Sequence, residues 1–187
     1  MQNVLQPTLW RTCRALANRD RLKMLKILDK AGRLTVSEMS EEMKRPLSAV
    51  SENMRALNAR GLLAVKRHGR EVHYRIGTDP SVPGAKELLR AVMATLKSHR
   101  EGSAHAFRAL TGLTHYRRHR IMYELHREPL AFGELRRRTG ISRQALQRHL
   151  RKLRSRGLIT QQKGKYRLAK PKESLCRCLL ALSSRRP

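Results

Sequence analysis

An internal duplication is the feature that most constrains the fold of this chain. Residues 38–63 align without a gap on residues 134–159, at a constant offset of 96 residues. Five apolar pairs coincide in this alignment: Met39 with Leu135, Val50 with Leu146, Met54 with Leu150, Leu57 with Leu153, and Leu62 with Leu158. Their steps of three and four residues are typical of helices that bury one face. Gly61 and Gly157 also coincide, after the second helix, where a residue that accepts positive φ ends a helix without steric cost.

The net charge limits the class of partner. The chain carries 42 Lys and Arg against 14 Asp and Glu, a formal net charge of +28, which is more than solubility requires. A polyanion is the partner that such a charge predicts. Residues 1–80 hold 16 basic and 8 acidic side chains, whereas residues 101–187 hold 22 and 5. We therefore expect the second half to contribute more of any non-specific affinity.

Neither a membrane span nor a disulfide framework is expected. No apolar run approaches the roughly 20 residues that a bilayer requires, and the first ten residues lack the basic-then-apolar order of a signal peptide. Cys13, Cys176 and Cys178 are an odd number of thiols. Structural disulfides are unusual in such a chain. The expectation is a cytoplasmic, nucleoid-associated protein.

The first half shows the order helix, helix, turn, helix, hairpin. Predicted helices cover residues 9–16, 20–30 and 36–43, then a longer helix opened by Ser48 as its N-cap. A turn containing Pro46 precedes that helix. After Gly61 two strands are expected, joined by a basic turn at residues 67–70, because Val72, Tyr74 and Ile76 alternate with polar residues.

The second half repeats this plan. An amphipathic helix at residues 85–98 follows the first hairpin, and residues 101–103 are the expected boundary. Helices near residues 105–110 and 116–127, the duplicated pair, a hairpin over 158–168 and a last helix over 172–184 complete the chain. The predicted domains are 1–80, a linking helix at 81–102, and 103–187. The predicted fold class is mainly α with small β-hairpin wings, as two tandem winged helix-turn-helix domains in a pseudo-dimeric arrangement.

Several motifs of the first half together resemble the ArsR family of bacterial winged-helix repressors. They are LANRDRLKMLKIL at residues 16–28, followed by LTVSEMSEEM, SAVSENMRALNARGLL and GREVHYRI. The second half is similar to a diverged copy. The resemblance implies a transcriptional regulator whose protomers pair through their first and last helices. Metal-sensing members often carry two cysteines flanking a Val before the reader helices, and here Thr35 and Ser37 stand there, with Ala131 and Gly133 in the second copy. Hydroxyls are poor ligands for soft metals, so no such sensor is expected.

The faces opposite the apolar pairs supply the candidate DNA-binding residues. On the two reader helices these are Ser48, Ser51, Glu52 and Arg55, then Arg143, Gln144, Gln147, Arg148 and Arg151. The N-terminal part of such a helix lies in the major groove, where Arg pairs with guanine and Gln with adenine. Glu52 would either accept from a cytosine amino group or serve a structural role. The alternative for the whole set is a solvated basic face.

The hairpin turns supply the candidate wing contacts, which are Arg67, His68, Arg70, Lys163 and Lys165. Such side chains contact phosphates or reach the minor groove, and phosphate contacts fix register without reading bases. Arg117, Arg118, Arg120 and Arg136–Arg138 offer further backbone contacts, with solvation as the alternative.

Metal, redox and catalytic sites are not expected. Cys176 and Cys178 are two residues apart, so on a regular helix they point about 200° away from each other. We expect His115, His119 and His126 to be solvated or to contact phosphate. No phosphate-cradling Gly loop, catalytic triad or paired carboxylates occur, so neither an enzyme nor a cofactor is predicted.

The function predicted from these patterns is a sequence-specific regulator of transcription that binds double-stranded DNA, as a repressor, through two recognition helices and basic wings. The expected partner is duplex DNA, bound at an asymmetric site by the two modules of one chain as a covalent pseudo-dimer, with no membrane and no small molecule evident. The alternative is a homodimer formed through exposed apolar stripes of the linking and terminal helices. One alternative is an architectural DNA-coating protein with low sequence specificity. Another is a tandem winged-helix module for protein interaction, which ranks last because its surface should be acidic or apolar.

Overall fold

A computed structural model describes residues 8–98 and 101–186. The fold is mainly helical with two small antiparallel sheets, as the sequence predicted. Contacts divide it into two units, one formed by Ala15–Phe107 and the other by Thr8–Arg14 together with residues 108–186. Residues 1–7 lie outside the described residues. They make up most of the ten-residue segment that lacks the order of a signal peptide.

The first unit is a winged helix-turn-helix followed by a linking helix. Its elements are α2 (Arg19–Ala31), β1 (Arg33–Leu34), α3 (Val36–Met43), α4 (Leu47–Asn58), β2 (Leu63–His68), β3 (Glu71–Ile76) and α5 (Ala85–Ser98). The strand order is β1-β3-β2, with Val65 opposite Tyr74 and His68 opposite Glu71. The helix α1 (Leu9–Leu16) precedes them, and most of it groups with the second unit.

The second unit repeats this arrangement. Its elements are the end of α6 (Gly102–Leu110), α7 (Tyr116–Arg127), β4 (Leu130–Ala131), α8 (Phe132–Thr139), α9 (Arg143–Ser155), β5 (Ile159–Gln162), β6 (Lys165–Leu168) and α10 (Ser174–Leu182). The strand order is β4-β6-β5, which matches that of the first sheet. Both units therefore place a two-helix reader beside a three-stranded sheet that ends in a hairpin wing.

The duplicated apolar pairs form the core beneath both readers. Each of the ten side chains has at most 2% of its surface exposed, and Met54 and Leu57 have none. Gly61 and Gly157 adopt φ of 63° and 69°, so the predicted helix endings are confirmed. A Cβ on Gly61 would lie 2.8 Å from Val82 Cγ2, which adds a packing reason for glycine there. The periodicity of the sequence correctly identified the buried faces.

Some predicted helix boundaries are wrong. The helix α4 begins at Leu47, and its N-cap is Pro46, which makes no side-chain cap, rather than Ser48. The backbone N–H of Val50 already donates to the carbonyl of Pro46 at 3.1 Å, so the helical turn starts before Ser48. The last helix is shorter than predicted, and α6 begins three residues before His105.

The apolar stripes of α5 and α10 are already covered within the chain. Leu88, Val92 and Leu96 of α5 are at most 3% exposed, and Leu175 and Leu179 of α10 are at most 1% exposed. The expectation of exposed stripes available to a second copy is therefore wrong, because these side chains belong to the core of the chain.

The two wings turn by different backbone conformations. In the first wing Gly69 has φ of 60°, between His68 and Arg70. In the second wing Lys163 and Gly164 both have positive φ, 48° and 73°. Two consecutive residues of this kind are typical of a type I′ hairpin turn, whose twist matches that of the strands.

A capping box fixes the start of α3. The Thr35 hydroxyl accepts from the backbone N–H of Glu38 at 3.2 Å, and the Glu38 carboxylate accepts from the Thr35 N–H at 2.6 Å. Hydrogen bonding to Thr35 lowers the pKa of Glu38. Thr35 therefore has a structural role, as the N-cap of α3.

Replacing Thr35 by alanine should destabilise the chain by about 1 kcal/mol, because the backbone N–H of Glu38 at the N-terminus of α3 loses its acceptor. Urea unfolding of Thr35→Ala against the unmodified chain measures this. Ser37→Ala is the matched control, since Ser37 is exposed two residues later. Equal stability of the two variants would show that the capping box contributes nothing.

Candidate nucleic-acid interface

In the first unit, α4 has one buried apolar face and one accessible polar face. Val50, Met54 and Leu57 are fully buried. On the opposite side Ser48, Glu52 and Arg55 are exposed and Ser51 is half-buried. The Arg55 Nε donates to the Ser51 carbonyl at 3.4 Å. The structure thus places the four residues predicted from the sequence on one accessible face.

In the second unit, α9 presents the corresponding face with a much higher charge. Its five predicted residues, Arg143, Gln144, Gln147, Arg148 and Arg151, are all exposed. The helix carries five basic residues and no acidic one, whereas α4 carries one of each. Such a face attracts phosphate at long range and offers Arg and Gln side chains to base edges.

The wing residues are exposed as well. Arg67, His68 and Arg70 lie at the tip of the first hairpin, and Lys163 and Lys165 at the tip of the second. In the second unit the reader and the wing share a groove of about 620 Å³, whose lining includes Gln147, Arg151, Arg154 and Tyr166. The structure therefore brings a reader face and its own hairpin to one concave surface.

Glu52 interacts electrostatically with Arg21 of α2. The charge of Glu52 raises the pKa of Arg21, although burial of that guanidinium lowers it more. The Arg21 Nε is buried without a hydrogen-bond partner among the described residues. Proximity to Arg21 supports the structural role for Glu52 that the sequence left open beside the base-reading one.

Some arginines proposed for DNA contact are engaged inside the second unit. The Arg120 Nη2 donates to the Arg138 carbonyl at 3.2 Å. Arg138 forms ion pairs with Glu128 and, at 3.9 Å, with Glu124. For Arg120 and Arg138 this bonding favours an intramolecular role, whereas Arg136 and Arg137 of α8 are exposed.

Two of the three histidines of the α7 segment are not solvated, contrary to expectation. His119 is 2% exposed, and the Nε2 of His126 lies 2.9 Å from the Leu180 carbonyl. Both occupy the face of α7 that packs with Met122 and Leu125 in the core. His115 is exposed and caps α7, since its Nδ1 accepts from the Arg117 N–H at 3.0 Å.

Sequence reasoning missed two residues on the reader helices. His149 is 5% exposed and lies on the underside of α9. Burial and the neighbouring His115 and Arg118 lower its pKa to about 4. Its spacing of three from Leu146 and four from Leu153 was an available signal. Leu47 is 53% exposed at the first position of α4, and nothing in its pattern distinguished it from a core residue.

Two of the three cysteines are buried in the core as small apolar residues. Cys13 and Cys176 are buried, and Cys178 is half-buried on a regular helix. Burial raises the pKa of Cys176 to about 11 and also raises that of Cys13. Within residues 8–98 and 101–186, no group of three or more His, Cys, Asp or Glu side chains could hold a metal ion. No helix in the described part of the chain is long and apolar enough to cross a membrane.

Comparison with known protein families finds a similarity within the second unit. Residues 110–165 match the model of the MarR family. This segment spans α7, β4, α8, α9 and β5 and reaches the start of β6. Comparison with curated proteins gives no match. The match supports a winged helix-turn-helix regulator of transcription that binds DNA, but not specifically the ArsR type.

Stability should fall on acidification because of His149. The folded chain holds this pKa near 4 against an ordinary 6.5, so the unfolded chain binds more protons between these values. We expect His149 to cost the folded state roughly 1–3 kcal/mol as the pH falls from about 6.5 to about 4. The free energy of unfolding of His149→Leu, measured across this pH range, should fall less steeply than that of the unmodified chain.

Gln147→Leu, an exposed change on the same helix, is the matched control and should keep the pH dependence of the unmodified chain. His119 also has a lowered pKa through burial, so His149→Leu should remove only part of the dependence. An unchanged slope in His149→Leu would mean that the buried histidine is not neutral.

Proposed function

We propose that the chain is a sequence-specific regulator that binds double-stranded DNA and represses transcription by covering a promoter. Two recognition helices, α4 and α9, enter the major groove, and the basic wings contact the backbone or the minor groove. The observation that carries the proposal is the duplicated reader, in which packing buries one face and leaves the predicted DNA-binding residues accessible on the other.

The two readers should recognise different half-sites. The α4 face offers Ser48 and Ser51 hydroxyls, and the exposed Leu47 adds an apolar side chain suited to a thymine methyl. At the position that the repeat aligns with Leu47, α9 carries Arg143, which is suited to guanine. An asymmetric site follows from this difference.

One chain should suffice to present both readers. The apolar residues of α5 and α10 are buried, so a second copy would have to bind through other surfaces. We therefore propose a covalent pseudo-dimer, in which the first unit is an ArsR-like module and the second its diverged copy, rather than a dimer of chains. A symmetric palindromic site is not expected for such a protein.

The alternative is a DNA-coating protein that uses the same surfaces without sequence preference. The net charge of +28 and the absence of acidic residues from α9 favour it. The two functions differ in the contribution of base contacts, because phosphate contacts alone give equal affinity for all sequences.

Selection of bound fragments from random duplex DNA, followed by affinity measurement at physiological salt, should decide between them. A regulator should bind its selected site roughly 10³-fold or more above random duplex, and a coating protein should show a ratio near one. Mass measurement of the complex should give one chain per selected site. A symmetric palindrome bound by two chains would contradict the pseudo-dimer.

Gln144→Ala and Lys165→Ala should affect binding in different ways. Gln144 lies on the reader face, so its loss should relax discrimination at one position of one half-site by roughly 1–3 kcal/mol. Lys165 lies on the wing, so its loss should weaken all sequences about equally and reduce the salt slope of binding by about 1. Competition binding against single-base variants of the selected site measures both, and a uniform effect of Gln144→Ala would remove its base-reading role.

A further inference from the structure

A cationic pocket lies beside the recognition helix of the second unit. Its volume is about 560 Å³, and it lies between the N-terminal turn of α7 and one flank of α9. Six basic side chains line it: His115, Arg118, Arg148, His149, Arg151 and Lys152. None of the described residues that line it is a carboxylate. This pocket shares Arg151 and Ser155 with the groove that contains Tyr166 of the wing, whereas its other lining residues do not border that groove.

Two polar atoms of the pocket residues have no partner inside the protein. The Nε2 of His149 is buried and makes no hydrogen bond to any described residue, although the side chain is 5% exposed overall. The Arg118 Nε is likewise buried and makes no hydrogen bond to any described residue, while the Arg118 Nη2 donates to the Thr114 hydroxyl at 2.6 Å. Buried polar groups are nearly always hydrogen-bonded, so the two that belong to this cavity are suited to a ligand that offers acceptor oxygens.

The first unit shows how a negative charge fits at the corresponding place. Arg21 stands three residues after the N-cap of α2, and Arg118 stands three residues after the N-cap of α7. In the first unit the charge of Glu52 acts on Arg21. The repeat aligns Glu52 with Arg148 and Asn53 with His149. The second unit therefore has a cation, Arg148, at the position of the Glu52 carboxylate.

We propose that this pocket binds a phosphate-type oxyanion, supplied by the backbone of the DNA that α9 reads. A phosphate group presents acceptor oxygens to Arg118, Arg148 and His149 and supplies the negative charge that Glu52 supplies in the first unit. The proposal rests on the proposed function for the source of the phosphate. The oxyanion chemistry itself rests on the pocket alone, because a free phosphate offers the same acceptor oxygens but lacks the other contacts that hold a duplex on α9.

Binding of the anion should be coupled to a proton. The ring of His149 lies 4.8 Å from that of His115, and the cations around the pair are Arg117 and Arg118 of α7, Arg148, Arg151 and Lys152 of α9, and Arg14 of α1 beside His115. Burial and these charges lower the pKa of His149 to about 4. A bound anion opposes both effects, so it should raise that pKa and bind more tightly as the pH falls.

Imidazole NMR titration of the full chain tests the proposal. The pKa of His149 would be measured for the protein alone, with inorganic phosphate, and with the selected duplex. We expect the duplex to raise it by about one unit or more, and inorganic phosphate at the same concentration of phosphate groups to have little effect. A rise with inorganic phosphate alone would keep the oxyanion site and overturn DNA as its source.

No rise with either ligand would overturn the proposal, while duplex binding in that experiment would leave the proposed function standing. If the chain binds no duplex, the proposed function fails, and an inorganic phosphate titration extended to higher concentration decides whether the pocket is an oxyanion site. The two failures are therefore distinguishable.

Matched variants give a second readout. Arg118→Gln should reduce the slope of log affinity against log salt by about 1, because one phosphate contact is lost. His149→Asn, which installs the residue of the first unit, should remove the strengthening of binding at lower pH. Arg127→Gln, an exposed change on the same helix α7, is the control and should retain the pH response. Equal pH responses in His149→Asn and the control would overturn the coupling.

Discussion

The packing of the recognition helices against their own units is the constraint on which the rest of the structure depends. Burying a Leu or Met side chain contributes about 1.5–3 kcal/mol, and each reader buries several on one side. Because a helix advances about 100° per residue, fixing the buried side also fixes which side chains face outward. The core beneath α4 and α9 therefore determines which polar residues are presented, even though none of them contributes to it.

The duplication has kept the buried side and changed the exposed one. In the first unit α4 carries one acidic and one basic residue, Glu52 and Arg55, so its exposed face is nearly neutral. In the second unit Arg148 stands at the position of Glu52, and a pocket lined by basic side chains lies beside α9. The exposed faces of the two helices therefore differ in charge, and the proposed function assigns more of the electrostatic attraction to the second unit.

The sequence predicted what periodicity controls and missed what tertiary contacts control. The bounds of α3, α5 and α7 and the burial of the five duplicated pairs follow from apolar spacing, and the structure confirms them. The two-residue strands β1 and β4 are too short to show alternation. His119 and His149 stand at buried positions of α7 and α9, and residue type alone does not indicate this because histidine is commonly solvated. The relation of Glu52 to Arg21 joins distant segments, and no local pattern reveals it.

Cross-linking from the reader faces tests the central claim most directly. A photoreactive residue would be placed at Ser51 of α4, at Gln147 of α9, or at Arg177, which is exposed on α10. The repeat aligns the first two positions, so both should cross-link to bases of a bound duplex, in different half-sites, while position 177 should not. Duplex binding without cross-links from positions 51 and 147, or with equal cross-linking from 177, would contradict the assignment of these helices as the DNA-reading elements.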